Sequence, residues 1–236
     1  MNVTIKLVVL TMLKAELQLV LPIGEPELPS VTLKDGNPDQ QAESLASGLT
    51  GISNGVQRHG FLSADESNTG DLVLLYTQLL SEDVFLGCAT GETKTIPVEV
   101  VDSELVSNQA GIVTRVVDDL NSDLNQVMHS RLNKGGLIHL LGLLPDIFDH
   151  KELAAAYYAL TGEKPSSSLM LARMMLDRYT MGSGDRQREV KGRDLIEEYV
   201  PEASDLLDEK WEKNKDLYRT GGPKAKRLYK KKRILD

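Results

Sequence analysis

The sequence predicts an α+β protein in which a sandwich domain precedes a helix-turn-helix domain, and three observations predict it. The first half mixes short β-branched or apolar runs with at least one helix. One long amphipathic helix over residues 108–132 follows. The second half holds two short helices joined by a glycine-containing turn, and then a basic segment. We place the domains at residues 1–134 and 135–236.

The composition excludes several classes of protein. The chain has 236 residues, 27 Lys and Arg against 35 Asp and Glu, and one cysteine. A single cysteine excludes an internal disulfide framework and a cysteine-rich zinc module, and it suits a reducing cytoplasm. The net charge of −8 argues against a protein that coats nucleic acid with its whole surface. Residues 219–236 nevertheless carry eight basic residues and one acid.

The apolar N-terminus predicts a β-hairpin and not a membrane span. Lys6, Lys14 and Glu16 interrupt residues 1–23 well before the ~20 apolar residues that a bilayer helix needs. No clear signal-peptide cleavage site follows. Residues 3–10 and 17–21 are β-branched or alternating, with a polar turn at residues 14–16 between them. We expect a cytoplasmic protein without a membrane segment.

The rest of the first half predicts one helix among short strands. Residues 25–38 are rich in Pro and Gly, which indicates a loop. Residues 39–49 predict a helix that buries Ala42, Leu45, Ala46 and Leu49. Strands are predicted at residues 59–62, 72–80, 84–88 and 95–101. Cys88 then falls in a strand, as a buried and inert thiol.

Residues 108–132 predict a single helix with one apolar stripe. Its length suits a connector between domains or a dimer seam, and a helix of the core explains the stripe equally well. A shorter helix over residues 137–144 follows.

The second half then predicts a helix-turn-helix. Asp149 and Glu152 have capping-box spacing, and the helix that they begin extends to about Leu160. Ser166 or Ser167 caps a second helix that extends to about Tyr179. Residues 191–217 form a charged helical stretch, and Leu228 and Tyr229 lie in an edge strand within a Lys/Arg run. A helix-turn-helix followed by a basic β-ribbon is the order of a winged helix, although many helical hairpins bind nothing.

Over nearly its full length the chain resembles the Nudix-related transcriptional regulators of the NrtR type. The opening hairpin, Leu28-Pro29-Ser30-Val31 and DQQAESLASGLTGI resemble the Nudix strand, its approach loop and its helix. LLPDIFDHKELAAAYYALTGEKP resembles the start of the helix-turn-helix, and GGPKAKRLYKKK resembles the wing. The resemblance implies a Nudix-like α/β/α sandwich followed by a winged helix-turn-helix. It also implies a homodimeric regulator, such as a repressor, that binds double-stranded DNA and is released by a nucleotide-sugar or ADP-ribose-like effector.

The Nudix helix departs from the family pattern. A working Nudix box holds Mg²⁺ with several glutamates on one helical face, because hard divalent cations prefer carboxylate oxygens. Aligned on Gly51-Ile52, this chain has Ser44, Leu45, Gly48 and Leu49 where the family has Arg and three Glu. Only Glu43 remains on the helix, with Asp39 one turn earlier. We therefore expect no hydrolase activity, no metal, no cofactor and a sensor or scaffold domain.

The predicted DNA contacts lie on the second helix and on the C-terminal basic segment. The reading helix offers serines in place of the family's cations, so affinity would depend mainly on the basic segment. Arg186, Arg188, Lys191 and Arg193 could extend that track. The full set of predicted contacts is Ser166, Ser167, Ser168, Arg173, Arg178, Lys224, Lys226, Arg227, Lys230 and Lys231.

Two other interpretations stay open. The acidic body and the weakly basic reading helix also suit a protein–protein interaction module that keeps the fold without reading DNA. A Nudix hydrolase would need the missing glutamates. The four histidines show no metal-ligand spacing, and no nucleotide-binding glycine loop is present. We expect the DNA-binding interpretation to fail if the final twenty residues, which carry the C-terminal cations, trail loose or pack against acidic neighbours.

Overall fold

The computed structural model describes residues 2–62, 71–88, 92–129, 136–164, 178–181, 188–199 and 228–232. The chain divides into two compact units, Met1–Ser122 and Asp123–Asp236. The division falls inside the long helix, N-terminal to the boundary at residue 134 that the sequence predicts, and that boundary stays a prediction.

The elements of the N-terminal unit alternate strands with short helices. In chain order they are β1 (Val3–Leu13), β2 (Glu16–Pro22), β3 (Ser30–Leu33), α1 (Pro38–Thr50), β4 (Val56–Leu62), β5 (Leu72–Leu80), α2 (Glu82–Cys88), β6 (Thr93–Pro97), a 3-10 turn (Val98–Val100), α3 (Val101–Glu104) and α4 (Ser107–His129), which continues past the division.

One sheet organises this unit, with the strand order β4-β5-β1-β2-β6. β1 pairs in parallel with β5 and antiparallel with β2, and its first residues also pair with β3. The β1–β2 turn places Lys14 and Ala15 at positive φ, as a two-residue hairpin with the right-handed strand twist requires. The predicted hairpin is therefore confirmed.

Both faces of the sheet are buried, which makes this unit a sandwich. Ile5, Leu7 and Val9 join the core beneath α1, together with Leu74 and Tyr76. The alternate positions on the same strands are equally buried, among them Val8, Leu10, Leu19, Leu21, Val73 and Leu75. A sheet with two apolar faces needs cover on both sides, and its strands accordingly consist of nearly continuous apolar runs.

Four predictions in this unit need correction. Residues 84–88 form the end of helix α2 and not a strand, because Ser81 caps that helix through a hydroxyl 3.4 Å from the Val84 amide and a carbonyl bound to the Phe85 amide. Acidic residues in the first turn favour the same helix. Cys88 is consequently exposed instead of buried. The predicted strand over residues 95–101 ends at Pro97, and the predicted loop over residues 25–38 contains β3.

The C-terminal unit mixes short helices and strands. They are α5 (Gly136–Leu143), β7 (Ile147–Asp149), α6 (His150–Thr161), β8 (Arg178–Met181), β9 (Arg188–Lys191), α7 (Gly192–Leu195), β10 (Ile196–Tyr199) and β11 (Leu228–Lys231). β10, β11 and β7 form one antiparallel sheet, and β8 and β9 form a two-stranded ribbon. The predicted helical stretch from residue 191 is wrong at residues 196–199, which pair with β11 instead.

Candidate functional site

Helix α1 lies flat on the sheet because its inward face is built from small residues. Ala42 and Ala46 are completely buried, and small side chains let a helix approach a sheet closely. Asn37 caps the N-terminus through a hydrogen bond of 2.9 Å from the Asp39 amide. Gly51 ends the helix at a φ of 76°, which suits glycine at this position.

The C-terminal end of α1 is fixed to β5 by a buried polar cluster. The Gln78 side-chain amide donates to the carbonyls of Ile52 at 3.0 Å and Asn54 at 2.9 Å. The Thr50 hydroxyl donates to the Ala46 carbonyl at 2.8 Å and lies 3.4 Å from the Gln78 oxygen. Buried polar groups that are satisfied in this way fix the register of neighbouring elements.

The N-terminal end of α1 is fixed by a tyrosine. The Tyr76 hydroxyl donates to the Asp39 carboxylate at 2.5 Å. Burial raises the pKa of Tyr76, and the hydrogen bond to Asp39 adds to the rise. Asp39 is thus engaged with the sheet, and it does not face the cleft described next.

A cleft of about 390 Å³ opens along the exposed side of α1, and we call it the α1 cleft. This volume lies in the range of ligand pockets, roughly 300–1,000 Å³. The residues that line it come from α1, from the loop before β3 and from the adjoining ends of β2 and β6. They are Pro22, Glu25, Pro29, Ser30, Val31, Gln41, Ser44, Leu45, Gly48, Leu49, Glu92 and Thr93.

The four positions that the alignment singled out, Ser44, Leu45, Gly48 and Leu49, all line this cleft. None of them has a carboxylate, and Glu43 is exposed and does not line the cleft. Among the described residues no group of three His, Cys, Asp or Glu could hold a metal ion. The Mg²⁺ of a Nudix box therefore does not fit helix α1, which places no carboxylate in the cleft, because that ion needs two or more convergent oxygen ligands.

The two carboxylates that do line the cleft, Glu25 and Glu92, were missed by the sequence reasoning. Neither belongs to a motif, and they lie far apart in the chain. Pairing of Pro22 with Thr93 and a hydrogen bond of 2.9 Å from the Ile23 amide to the Glu92 carbonyl bring their segments together. Only the β2–β6 pairing, which the sequence analysis did not predict, could have found them.

In the C-terminal unit, helix α6 forms as predicted. Asp149 accepts hydrogen bonds from the amides of Lys151 at 2.7 Å and Glu152 at 3.0 Å, and Glu152 accepts from the Asp149 amide at 2.8 Å. This is a complete capping box. The predicted inward residues are all buried, namely Leu153, Ala156, Tyr157 and Leu160. Gly162 ends the helix at a φ of 71°.

Strand β11 is central and not at an edge, which corrects the prediction for Leu228 and Tyr229. β10 pairs with one side of β11 and β7 with the other. Leu228 and Tyr229 are buried, and the Tyr229 ring packs on Phe148 and His150. The Lys/Arg run around Leu228 and Tyr229 is typical of an edge strand, but here both sides of β11 are paired. Lys230 and Lys231 are consecutive residues and therefore point to opposite faces of the sheet.

The described C-terminal cations differ in their surroundings. Lys230 is exposed, faces Glu197 on β10 and has its ammonium 5.4 Å from the centre of the Tyr199 ring. The Lys231 side chain is only 22 % exposed and lies 3.8 Å from Asp146. Burial lowers the pKa of Lys231, and Asp146 only partly opposes this. Lys232 lies 3.9 Å from Glu197. Lys231 and Lys232 therefore pack against acidic neighbours, which counts against a DNA-binding role for these two cations, whereas Arg219, Lys224, Lys226, Arg227 and Arg233 lie outside the described residues.

A second group of cations lies on the β8–β9 ribbon. The register places Arg178 opposite Lys191 and Met181 opposite Arg188. Arg178 and Tyr179 therefore lie on a strand and not on the predicted second helix, whose other residues lie outside the described part of the chain. The predicted contacts Ser166, Ser167, Ser168, Arg173, Lys224, Lys226 and Arg227 lie outside the described residues.

Comparison with known proteins rests on structure alone. No protein-family model matches the chain, and no curated protein matches its sequence. The crystal structure of Shewanella oneidensis NrtR complexed with a 27mer DNA matches it with a TM-score of 0.65 at 14 % identity, covering 98 % of this chain and 93 % of that one. The chain has the NrtR fold.

Two further structures agree with this fold. A second crystal structure of Shewanella oneidensis NrtR matches with a TM-score of 0.65 at 14 % identity, covering 98 % of this chain and 94 % of that one. A MutT/nudix family protein from Enterococcus faecalis matches with a TM-score of 0.58 at 12 % identity, covering 98 % of this chain and 88 % of that one. The predicted Nudix-like sandwich with a second, C-terminal domain is therefore confirmed.

Within the part of the chain that the structure describes, no helix is both long and apolar enough to cross a membrane.

Proposed function

We propose that this chain is a DNA-binding transcriptional regulator with a Nudix-like sensor domain. The observation that carries the proposal is the similarity of fold to NrtR, which extends over 98 % of the chain and includes a structure complexed with DNA. Both units take part in that similarity. A match confined to the sandwich would favour a hydrolase or a scaffold equally.

The order of elements in the C-terminal unit supports a winged helix. α5, β7 and α6 precede residues 165–177, and the two-stranded β8–β9 ribbon follows. A ribbon at this position in the chain corresponds to the wing of a winged helix. We therefore assign the wing to β8–β9, and the proposed phosphate contacts are Arg178, Arg188 and Lys191, joined by the exposed Lys230.

The charge distribution supports the same assignment. Residues 1–122 contain 6 Lys and Arg and 17 Asp and Glu, a net charge of −11. Residues 123–236 contain 21 Lys and Arg and 18 Asp and Glu, a net charge of +3. A duplex would be attracted to the C-terminal unit and repelled by the N-terminal one.

We propose further that the sandwich is not catalytic, because helix α1 places none of the Nudix-box carboxylates in the α1 cleft to hold Mg²⁺ against a diphosphate. A homodimer, a cytoplasmic location and release from DNA by an effector complete the proposed regulator. Ser166, Ser167, Ser168, Arg173, Lys224, Lys226 and Arg227 stay predicted contacts. We leave Lys231 out of the proposed surface because its ammonium is largely buried beside Asp146.

Fluorescence anisotropy with a labelled duplex from the promoter region of the chain's own gene tests the proposal. We expect binding at ~50 mM salt and a steep loss of affinity as salt increases, since each phosphate contact contributes about 0.9 to the slope of log K against log salt. An unrelated duplex of the same length measures non-specific binding. Absence of binding at ~50 mM salt, or equal affinity for both duplexes, would contradict a regulatory role.

One observation favours the interaction module as a second candidate. Lys231 and Lys232 pair with Asp146 and Glu197, so part of the basic segment is already neutralised within the unit. A pull-down from nuclease-treated extract separates the two functions. Retention of one defined protein, together with no duplex binding, would favour the module.

A further inference from the structure

One loop of the N-terminal unit contacts both the α1 cleft and helix α4. Residues 23–29, which we call the cleft loop, connect β2 to β3. Glu25 and Pro29 of this loop line the cleft. Leu28 lies between them in the chain, is 2 % exposed and donates its amide to the side-chain oxygen of Gln109 on α4 at 2.5 Å. A ligand that moves the wall of the cleft therefore also acts on a segment that is bound to α4.

The start of α4 holds the middle of the cleft loop at two points. The Val106 amide, directly before the helix, donates to the Pro26 carbonyl at 3.3 Å. Gln109 lies in the first turn of α4, is 4 % exposed and accepts the Leu28 amide across 81 residues of sequence. A buried polar side chain that bonds to the backbone of a distant segment fixes the position of that segment.

The two ends of the cleft loop are bound to strands of the sheet instead. The Ile23 amide donates to the Glu92 carbonyl beside β6 at 2.9 Å, and the Leu7 amide on β1 donates to the Pro29 carbonyl at 3.0 Å. Because both ends are held by the sheet, the middle of the loop can leave α4 without any change in strand pairing. Local opening of this kind costs less free energy than global unfolding.

Helix α4 continues from this loop into the C-terminal unit. It is one helix of 23 residues, and it passes the division after Ser122. In the C-terminal unit, Asn125 accepts from the Tyr157 hydroxyl on α6 at 3.4 Å. Asp123 lies 3.6 Å from His139 on α5. α4 thus contacts the cleft loop near its first turn and the two helices α5 and α6 about 24 Å further along its axis.

We infer that Gln109 is a positioning residue that couples the α1 cleft to DNA binding. With the cleft loop held on Gln109, α4 keeps α5 and α6 in the arrangement that binds DNA. A ligand in the cleft displaces the loop from Gln109 and favours the DNA-free arrangement, since a ligand shifts an equilibrium only through contacts that differ between the two states. This coupling rests on the proposed function, because it names how the sensor domain regulates DNA binding.

Two glutamine variants test the coupling by anisotropy with the promoter duplex at ~50 mM salt. Gln109→Met keeps the size of the side chain and removes the acceptor, and we expect it to bind the duplex at least about fivefold more weakly than the wild type. The matched control is Gln78→Met, which removes a buried glutamine whose amide binds the carbonyls of Ile52 and Asn54 at the end of α1. The control should stay within about twofold of the wild type, because its hydrogen bonds do not hold the cleft loop.

A third variant separates the hydrogen bond from the packing. Gln109→Glu keeps an acceptor oxygen, and an acidic side chain is favourable in the first turn of a helix. We expect this variant to bind the duplex within about twofold of the wild type. Far-ultraviolet circular dichroism shows whether each variant is folded before it is titrated.

Hydrogen exchange of the wild-type chain tests the reverse direction without any substitution. By linkage, a duplex whose affinity depends on the loop contact must strengthen that contact by the same factor. We expect saturating promoter duplex to slow exchange of the Leu28 amide at least about fivefold. In Gln109→Met the duplex should leave exchange in residues 23–30 unchanged. A glutamine that only stabilises the fold would give no such response of the loop to DNA.

Three results would overturn the coupling. They are equal duplex affinity of Gln109→Met and the wild type, an equal loss in Gln78→Met, and a Leu28 amide that does not respond to the duplex. A loss in Gln109→Glu as large as that in Gln109→Met would also contradict it, since the acceptor is retained. A wild type that binds no promoter duplex contradicts the proposed function itself, and the coupling with it, so the two failures are distinguishable.

Discussion

The two units differ in what has happened to their charged sites. In the N-terminal unit the cleft of the fold is present, but Leu45, Gly48 and Leu49 line it at the positions where a working Nudix box has glutamates. In the C-terminal unit the expected cations are present, but one of them is largely buried and others lie on an unexpected ribbon. The N-terminal unit keeps the cleft without the charges of a Nudix box, and the C-terminal unit keeps the cations but holds some of them in unexpected places. The surroundings of a residue therefore decide its role more than its identity does.

The largest effect is expected from the β8–β9 ribbon. Removing three cations in Arg178→Ala/Arg188→Ala/Lys191→Ala should weaken binding of the promoter duplex about 100-fold at ~50 mM salt and make the salt slope shallower by about 3. Anisotropy titrations at several salt concentrations measure both quantities. The matched control removes three exposed cations of the acidic unit, Lys14→Ala/Lys34→Ala/Arg58→Ala. Equal losses in the two triple variants would mean that position does not matter.

The next effect compares one helix cap from each unit. Asp149→Ala removes the two hydrogen bonds that its carboxylate accepts and should lower the free energy of unfolding by about 2 kcal/mol, whereas Asn37→Ala removes one bond and should cost about 1 kcal/mol or less. Urea unfolding followed by far-ultraviolet circular dichroism measures the free energy of unfolding of both variants. Asp149→Asn keeps an acceptor and should restore most of the loss. A larger cost at Asn37 would contradict this ranking.

A smaller effect separates two neighbouring lysines. Lys230→Ala removes an exposed cation and should weaken duplex binding severalfold, reducing the salt slope by about 1. Lys231→Met should leave duplex binding unchanged and should raise the free energy of unfolding at pH 7 by about 1 kcal/mol or less, because an apolar side chain replaces a buried charge.

The pH dependence of Lys231→Met provides an independent check. Because burial lowers the pKa of Lys231 below its usual 10.5, the unfolded chain binds this proton more tightly than the folded one. The folded wild type is therefore penalised at pH values below the folded pKa and recovers as pH rises through it toward 10.5. The stability advantage of the methionine variant should shrink over that range. An advantage that grows with pH would contradict the direction of the pKa shift.

The smallest effect comes from returning charge to the α1 cleft. Leu45→Glu/Gly48→Glu places two carboxylates on its wall, and Gly48 has room for a side chain. Millimolar Mg²⁺ should then raise the melting temperature of this variant by about 1–2 °C and leave that of the wild type unchanged. Gln40→Glu/Ser47→Glu adds the same charge at exposed positions outside the cleft and should show no shift. A shift in the wild type would mean that a metal site exists without these glutamates.

The sequence predicts local structure well where one pattern has one cause. The strand at residues 72–80 has the predicted bounds, because a nearly continuous apolar run suits a strand in a sheet that is buried on both faces. Helix α6 was predicted from its cap and its stripe, which are both local signals. The apolar run at residues 84–88 is too short to distinguish a strand from a helix, and the Ser81 cap favours the helix that is observed.

Features that depend on pairing between distant segments could not be predicted from local sequence patterns. β11 becomes a central strand because β10 and β7 both pair with it, and its sequence contains no signal for either partner. Glu25 and Glu92 share a rim only because β2 pairs with β6. The candidate cleft was therefore half predicted, through the alignment of α1, while the acidic rim required the folded sheet.

Strand β4 is the outermost strand of the six-stranded sheet, and its register with β5 shifts between Arg58 and Gly60. Such a bulge bends the strand and interrupts its row of free amides and carbonyls, and the exposed Arg58 adds a charge beside it. A straight strand here would offer a template to a second chain, next to the exposed ring of Phe61. The bulge and the charge thus make this edge of the sheet a poorer template for pairing with a second chain.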